Sequence, residues 1–159
     1  MKGEKKMASY NQYDYEAQQK EKEYKPAILK TDRKMWTLML FNILTLGLYS
    51  ILFFIPFSFD IDKAAPKRDG GKTMNYLCVH VLSLFTFSIV VDVWHHGIAS
   101  RIEEALSERD IDYDFGTGDF WGWFIFGSLI LIGPYVYFHK LCKAMNLLCE
   151  SYNAEQLGK

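Results

Sequence analysis

The sequence predicts an all-α membrane protein with three transmembrane helices. Three long apolar runs carry this prediction, at residues 35–59, 73–93 and 119–139 of a 159-residue chain. A helix rises about 1.5 Å per residue, so about 20 apolar residues cross roughly 30 Å of hydrocarbon, which is the length of each run. Half of the residues are hydrophobic and 16% are aromatic, while almost all charges lie outside the runs.

The runs divide the chain into three regions. Residues 1–28 are polar and are predicted to be a disordered tail, because they have too little apolar surface to offset the entropy of ordering. Residues 29–153 form the predicted three-span domain, and residues 154–159 form a C-terminal tail. In the first span, Trp36 lies near the basic edge, where an indole prefers the headgroup region, and Pro56 is expected to bend or end the helix.

Ionisable residues in and after the second span are candidates for function. His80 and Asp92 lie in the span, and His95 and His96 follow it. Ionisable groups at membrane depth are costly, and Asp92 shares a helix face with either of the later histidines. Two interpretations stay open for this group: a proton-accepting pair or partial metal site, and an interfacial cap at the apolar boundary. For His80, a hydrogen bond to a neighbouring helix is favoured over metal ligation.

The third span carries small residues and a glycine–proline pair. Small residues allow close helix packing, and a proline bends a helix. A helix–helix seam is expected, with a substrate cavity at the bend as the alternative. The residues expected to provide this packing and bend are Gly118, Gly122, Gly127, Gly133 and Pro134.

Amphipathic helices are predicted after the second and third spans. Apolar residues recur at helical spacing between charges, which is typical of a helix that continues a span or lies on the membrane surface. The apolar positions are Ile98, Ile102, Ala105 and Leu106 in the first helix, and Leu141, Met145 and Leu148 in the second.

Two motifs resemble ligand sites but lack residues that the chemistry needs. Residues 71–73 read Gly-Lys-Thr, as at the end of a phosphate-binding loop, yet Pro66 stands at the position of the first glycine. Residues 110–121 begin like a calcium loop, yet Phe115 and Trp121 replace its glycine and glutamate. We therefore predict no catalytic residue, no cofactor and no bound metal.

The cysteines and the charges narrow the class further. Cys78, Cys142 and Cys149 form no CxxC pair, so buried or interfacial free thiols are expected. The net charge of −1 argues against nucleic acid as a partner. Lysines and arginines number 9 in the N-terminal tail and 2 in the second loop, against 4 in the first loop and 3 in the C-terminal segment. This bias favours a multi-pass protein of the cell membrane with a cytoplasmic N-terminus.

A weak internal repeat is visible between the apolar runs. Residues 43–51 align with residues 81–89, and residues 133–135 echo residues 47–49. Consecutive spans run in opposite directions, so such a repeat would be inverted, as in some transporters. The alternative is the general similarity in composition of apolar membrane segments.

Four motifs along the chain are the basis of a resemblance: Leu-Lys-Thr at 29–31, LTLGLY at 44–49, DFGTG at 114–118, and a block from 133 to 153 that includes HKLCKAMN. With these motifs the chain resembles a prokaryotic membrane family, the domain of unknown function 4234, over about residues 29–153. The second span departs from that pattern at residues 85–87. The resemblance implies a multi-span bacterial or archaeal membrane protein and implies no activity.

Two functions remain open from the sequence. The first is a non-catalytic scaffold or accessory subunit of a membrane complex, with the lipid bilayer and either further copies of the chain or other membrane proteins as partners. The second is an oligomeric channel or transporter for small solutes or ions, with His80, Asp92, His95 and His96 as its polar path. Three spans are too few to enclose a pore, so the second function requires an oligomer.

Overall fold

A computed structural model describes residues 28–158, and it confirms the predicted all-α class. Helices and short connections make up this range, which contains no strand. Apart from Ile28, the tail predicted to be disordered lies outside the described residues.

The first two apolar runs each fold into a pair of helices. Hairpin 1 consists of α1, Met35–Leu44, and α2, Leu48–Ala64. Hairpin 2 consists of α3, Tyr76–Ser83, and α4, Ile89–Glu108. Pro56 lies inside α2, which continues through it to Ala64.

The third apolar run also forms a hairpin, with a less regular first arm. Hairpin 3 begins with the short α5, Thr117–Asp119, continues as a π-helix, Phe120–Ile125, and then as a 3₁₀ helix, Phe126–Ile130. It returns as α6, Gly133–Leu157, which extends beyond the predicted domain boundary at residue 153.

Residues with left-handed backbone interrupt each apolar run near its middle. The φ angles are 51° and 94° at Leu46 and Gly47, 49° and 68° at Phe87 and Ser88, and 62° at Leu131. A right-handed helix cannot continue through such a residue, so the chain reverses there. Between residues 28 and 158, the structure contains no helix that is both long enough and apolar enough to cross a membrane. The three-span arrangement is therefore not confirmed.

The first two turns are closed by the same backbone hydrogen bond. The Gly47 amide donates to the Asn42 carbonyl at 2.8 Å, and the Ser88 amide donates to the Ser83 carbonyl at 3.1 Å. This bond across five residues is the one that ends helices in a Schellman motif. The segments of the internal repeat, residues 43–51 and 81–89, both contain a turn, but their alignment pairs Gly47 with Phe85, whereas the equivalent turn bonds are made by Gly47 and Ser88.

An aromatic core joins the three hairpins. The centroid of the Phe54 ring lies 4.9 Å from that of Tyr76, 5.7 Å from that of Trp94 and 5.2 Å from that of His95. Hairpin 3 adds Phe124, whose centroid is 5.2 Å from that of His95. The aromatic core consists of Phe54, Tyr76, Trp94, His95, Phe124, Tyr137 and Phe138.

The three turns lie at one end of the molecule. In every hairpin, at least one residue of the aromatic core lies six to eight positions from the turn, which is roughly 10 Å of helix. Further along the same helices, Asp62 of α2 contacts Arg101 of α4, and Asn146 of α6 contacts Arg33, just before α1. The hairpins therefore point in the same direction, with the turns at one end and these polar contacts at the other. We call this second end the polar base.

The two predicted amphipathic stretches are helical, and their apolar stripes face the protein. The stripe of α4 and the stripe of α6 are buried, and the two helices pack against each other. The buried residues of the stripes are Ile98, Ile102, Ala105, Leu106, Leu141, Met145 and Leu148. The partner of these stripes is the interior of the protein, whereas the sequence suggested a continued span or the membrane surface.

Of the three glycines predicted to allow close packing, Gly127 is in close contact with another segment, and so is Gly133, which was predicted to lie at a bend. Gly127 and Gly133 bring the arms of hairpin 3 together, and a Cβ on Gly133 would collide with the backbone of Gly127 and Trp123. A Cβ on Gly118 or Gly122 would meet no atom within 4 Å. Pro134 lies in the first turn of α6, where a proline fits, so it begins a helix after a turn.

The substitution Gly133→Ala is expected to destabilise the fold. The new methyl group would overlap backbone atoms, which cannot move aside as a flexible side chain can, and we expect a loss of about 1–3 kcal/mol. Thermal unfolding of the purified protein in mild detergent should show a melting temperature lower by roughly 3–10 °C. Gly118→Ala is the matched control and should leave the melting temperature within about 2 °C of wild type. Equal effects of the two substitutions would contradict the close contact.

Candidate functional site

The turn end of the molecule exposes a large number of apolar side chains. Leu46 and Phe87, at the first two turns, are each 95% exposed, and Leu129, beside the third turn, is 85% exposed. Soluble monomers rarely expose contiguous apolar patches of this kind, and such patches mark interaction sites. The apolar tips, as we call this surface, comprise Leu44, Leu46, Leu48, Leu84, Phe85, Phe87, Ile89, Leu129, Ile130, Leu131 and Ile132.

Of the three exposed tryptophans, Trp36, Trp121 and Trp123, the first two have the same sequence separation from a turn. Trp36 is ten residues before Leu46, and Trp121 is ten residues before Leu131. Their side chains are 73% and 50% exposed, respectively. Tryptophan is enriched where a protein surface crosses the interface between hydrocarbon and water.

At the polar base, Arg101 joins hairpin 1 to hairpin 2. Its guanidinium donates to the Asp62 carboxylate at 2.9 Å and to the Ile61 carbonyl at 3.2 Å, and it also donates to Ala65 and Thr73. Only 7% of the Arg101 side chain is exposed. The carbonyls belong to the last turn of α2 and the residue after it, where carbonyls lack helical partners and favour a nearby positive charge.

Asp62 completes this contact from the other side. Its carboxylate accepts hydrogen bonds from the Thr73 amide at 2.9 Å and from the Thr73 hydroxyl at 2.6 Å. Burial alone would raise the pKa of Asp62, but the hydrogen bonds from Thr73 and the Arg101 guanidinium outweigh burial and lower this pKa below its usual value. The carboxylate is therefore ionised in the folded protein at neutral pH.

The segment before α1 is held by α6 through two asparagines. Asn153 accepts from the Leu29 amide at 2.7 Å and donates to the Leu29 carbonyl at 2.8 Å. Asn146 makes the same pair of bonds to Arg33, at 3.1 and 2.9 Å. The buried Arg33 side chain forms an ion pair with Asp60 of α2. This segment is thereby fixed to two hairpins.

The DFGTG motif fixes the connection that precedes hairpin 3. Phe115 is buried, and its ring centroid lies 5.8 Å from that of Tyr137. Glu103 of α4 accepts from the Thr117 amide at 2.9 Å, and Lys140 of α6 bonds to Asp119 at 2.6 Å. Glu103 of α4 and Asp119 therefore tie the start of hairpin 3 to α4 and α6.

Of the predicted ionisable group, the structure brings Asp92 and His96 together. Both line a cavity of about 390 Å³ that opens on the side of the molecule, between α4 and the first arm of hairpin 3. The rest of its lining is apolar: Ile89, Val93, Phe120, Trp121 and Ile125.

The two other histidines lie elsewhere. His95 is buried in the aromatic core, and its Nδ1 has no hydrogen-bond partner among the described residues. His80 is half-buried on α3, with its ring centroid 6.4 Å from that of Tyr76. Within residues 28–158, no three His, Cys, Asp or Glu side chains are placed to hold a metal ion.

The three cysteines are free. Cys78 is exposed, whereas Cys142 and Cys149 are buried. Burial raises the pKa of Cys142 to about 12 despite the opposing effect of Arg33, and it also raises the pKa of Cys149. These two thiols therefore stay protonated and unreactive at neutral pH.

The sequence did not identify the residues of the polar base. Arg101 offered one signal, because it lies three residues after Ile98 and four before Ala105 and so falls on the apolar stripe of α4. A charge on a buried stripe requires a partner. The partner, Asp62, is 39 residues away in the chain, and no local spacing indicates it.

Residues 33–104 match the model of a family described as a domain of unknown function (DUF4234). The match confirms the predicted resemblance and covers hairpin 1 and most of hairpin 2. It is shorter than the predicted range of residues 29–153. The description of DUF4234 names no activity, and neither a curated protein nor a solved structure matches the chain.

The contact between Asp62 and Arg101 should make stability depend on pH. Because the pKa of Asp62 is lowered in the folded state, its contribution is complete above the pKa of an unfolded aspartate, about 3.9, and is lost as the pH falls through the lowered value. We expect Asp62→Asn to reduce the free energy of unfolding by about 1–3 kcal/mol at pH 7. Urea titrations followed by circular dichroism in mild detergent would measure it.

The pH dependence distinguishes loss of the ion pair from a destabilisation that has nothing to do with the charge of Asp62. The difference between wild type and Asp62→Asn should shrink as the pH falls below about 4. Asp69→Asn, in the exposed loop after hairpin 1, is the control and should match wild type throughout. A difference that stays constant down to pH 2 would show that the charge of Asp62 does not contribute.

Proposed function

We propose that this protein is a non-catalytic scaffold or accessory subunit of a membrane complex, with its apolar tips embedded in the lipid bilayer. The main support is that the apolar tips of all three hairpins lie at one end of the molecule. The polar base, with its ion pairs, lies at the other end. An apolar surface of this size, confined to one end, has a lower free energy in hydrocarbon than in water.

The roles of the charges between helices support a scaffold. Arg33, Arg101 and Lys140 each bond to a carboxylate on another segment, and these contacts hold the hairpins in place. A charge used in this way stabilises a fixed arrangement of helices. The polar base, outside the lipid, is then the surface for other proteins of the complex.

A second candidate is an oligomeric channel or transporter, and one observation favours it. Asp92 and His96 share a cavity on the side of the molecule, and Asp92 is only four residues from the turn at Ser88. A carboxylate at that depth in lipid would be costly and would be expected to have a role. If copies of the protein assembled through this side of the molecule, their Asp92 and His96 side chains would line one path for ions or small solutes.

Charges at the apolar tips should weaken membrane binding without unfolding the protein. Leu46, Phe87 and Leu131 are exposed and have left-handed backbone, which aspartate tolerates better than leucine or phenylalanine. An aspartate at the centre of a bilayer costs about 3 kcal/mol. The triple variant Leu46→Asp, Phe87→Asp, Leu131→Asp should therefore fail to float with lipid vesicles that carry wild type.

Ile28→Asp provides the control for this experiment, because Ile28 is an exposed apolar residue next to the polar base. It should float as wild type does. Circular dichroism in detergent should show the same helical content for all three proteins. A triple variant that is folded and still floats with the vesicles would contradict insertion of the tips.

The substitution Asp92→Asn distinguishes the scaffold from the channel. We expect proteoliposomes containing wild type or Asp92→Asn to show equal proton flux, measured with an enclosed pH-sensitive dye, because a scaffold does not use the carboxylate. Asp112→Asn, at an exposed loop position, is the matched control. A flux that wild type and the control share and that Asp92→Asn loses would favour the channel.

A further inference from the structure

We infer that all three hairpins enter a single leaflet of the bilayer, so that every connection at the polar base lies on one side of the membrane. This inference rests on the proposed insertion of the apolar tips and specifies its geometry. It differs from a three-span arrangement, in which consecutive connections alternate between the two sides.

Contacts between the connections carry this inference. Arg68, in the connection after hairpin 1, forms ion pairs with Glu104 at 2.6 Å and Glu108 at 3.1 Å, near the end of α4. Three spans would place residue 68 on one side of the bilayer and the segment after the second span on the other. An ion pair cannot form across roughly 30 Å of hydrocarbon.

A second set of contacts also joins segments that three spans would place on opposite sides of the bilayer. These segments are the two ends of the described chain. The backbone of Leu29 and Arg33 is bonded to Asn153 and Asn146 of α6. Three spans would again separate these segments by the whole bilayer. Arg109, at the end of α4, also bonds to Ser151 at 3.1 Å, so the connection before hairpin 3 meets α6 on the same side.

The dimensions of the hairpins fit one leaflet. Trp36 lies ten residues before Leu46 on α1, which corresponds to about 15 Å of α-helix and so to half of a hydrocarbon layer of roughly 30 Å. Trp121 has the same sequence separation from Leu131. With these indoles at the headgroup level, the tips reach the middle of the bilayer. The backbone groups at the turns then depend on their own hydrogen bonds, such as that from Gly47 to Asn42.

The sidedness of two loop positions tests this inference. Asp69→Cys lies in the connection after hairpin 1 and Asp112→Cys in the connection before hairpin 3, and both positions are exposed. Each would be introduced into a Cys78→Ser background, whose remaining thiols are buried and protonated. A membrane-impermeant maleimide would be applied to intact expressing cells and to inside-out membrane vesicles, with the background protein as the unlabelled control.

We expect both cysteines to react from the same side only. Reaction of the two cysteines from opposite sides would overturn single-leaflet insertion, while a protein that stays with carbonate-washed membranes would still satisfy the proposed function. Release of the protein by carbonate would instead contradict the membrane location itself. Replacing either aspartate has little effect on orientation, because acidic residues contribute little to it.

Discussion

Buried ion pairs at the polar base determine how the three hairpins are arranged. The apolar tips are highly exposed, so the tips themselves do little to hold one hairpin against another. Arg101 joins the end of α2 to α4, and Arg33 joins α2 to the segment that α6 binds. A side chain that leaves water must keep a partner, so these arginines allow few alternative positions for the helices around them.

The free energy from such pairs is smaller than their number of bonds suggests. Removing a guanidinium and a carboxylate from water costs several kcal/mol for each ion, and this cost offsets most of their attraction. The aromatic core and the stripes of α4 and α6 supply the apolar burial that stabilises the fold. The ion pairs then select one register among packings that apolar contact alone would leave similar in energy.

The sequence predicted the helical class and the family resemblance because both depend on local patterns. The stripe of Ile98 and Ile102 gives the helix, and LTLGLY gives part of the resemblance. The turns inside the apolar runs were not predicted, because Phe87 and Leu131 carry no residue-type signal for left-handed backbone. Gly47 and the pair Gly133–Pro134 are local signals for such turns, but each lies in a continuous apolar run that has the length of a membrane span.

The candidate site was predicted in part. Asp92 and His96 share a cavity as their spacing allows, whereas His95, one residue earlier, points into the aromatic core. A helix turns by about 100° per residue, so two adjacent histidines cannot both face the same side. Which of them faces inward depends on Phe54 and Phe124 in other hairpins, and a single sequence does not reveal those contacts.

The asparagine contacts of α6 also set the order in which the fold can be completed. Leu29 and Asn153 are 124 residues apart, and Arg33 and Asn146 are 113 apart. A ribosome makes the first member of each pair early and the second near the end of the described chain. Until α6 emerges, the backbone groups of Leu29 and Arg33 must bond to water. These contacts therefore become possible only once α6 has been synthesised, and until then the segment before α1 is not attached to hairpin 3.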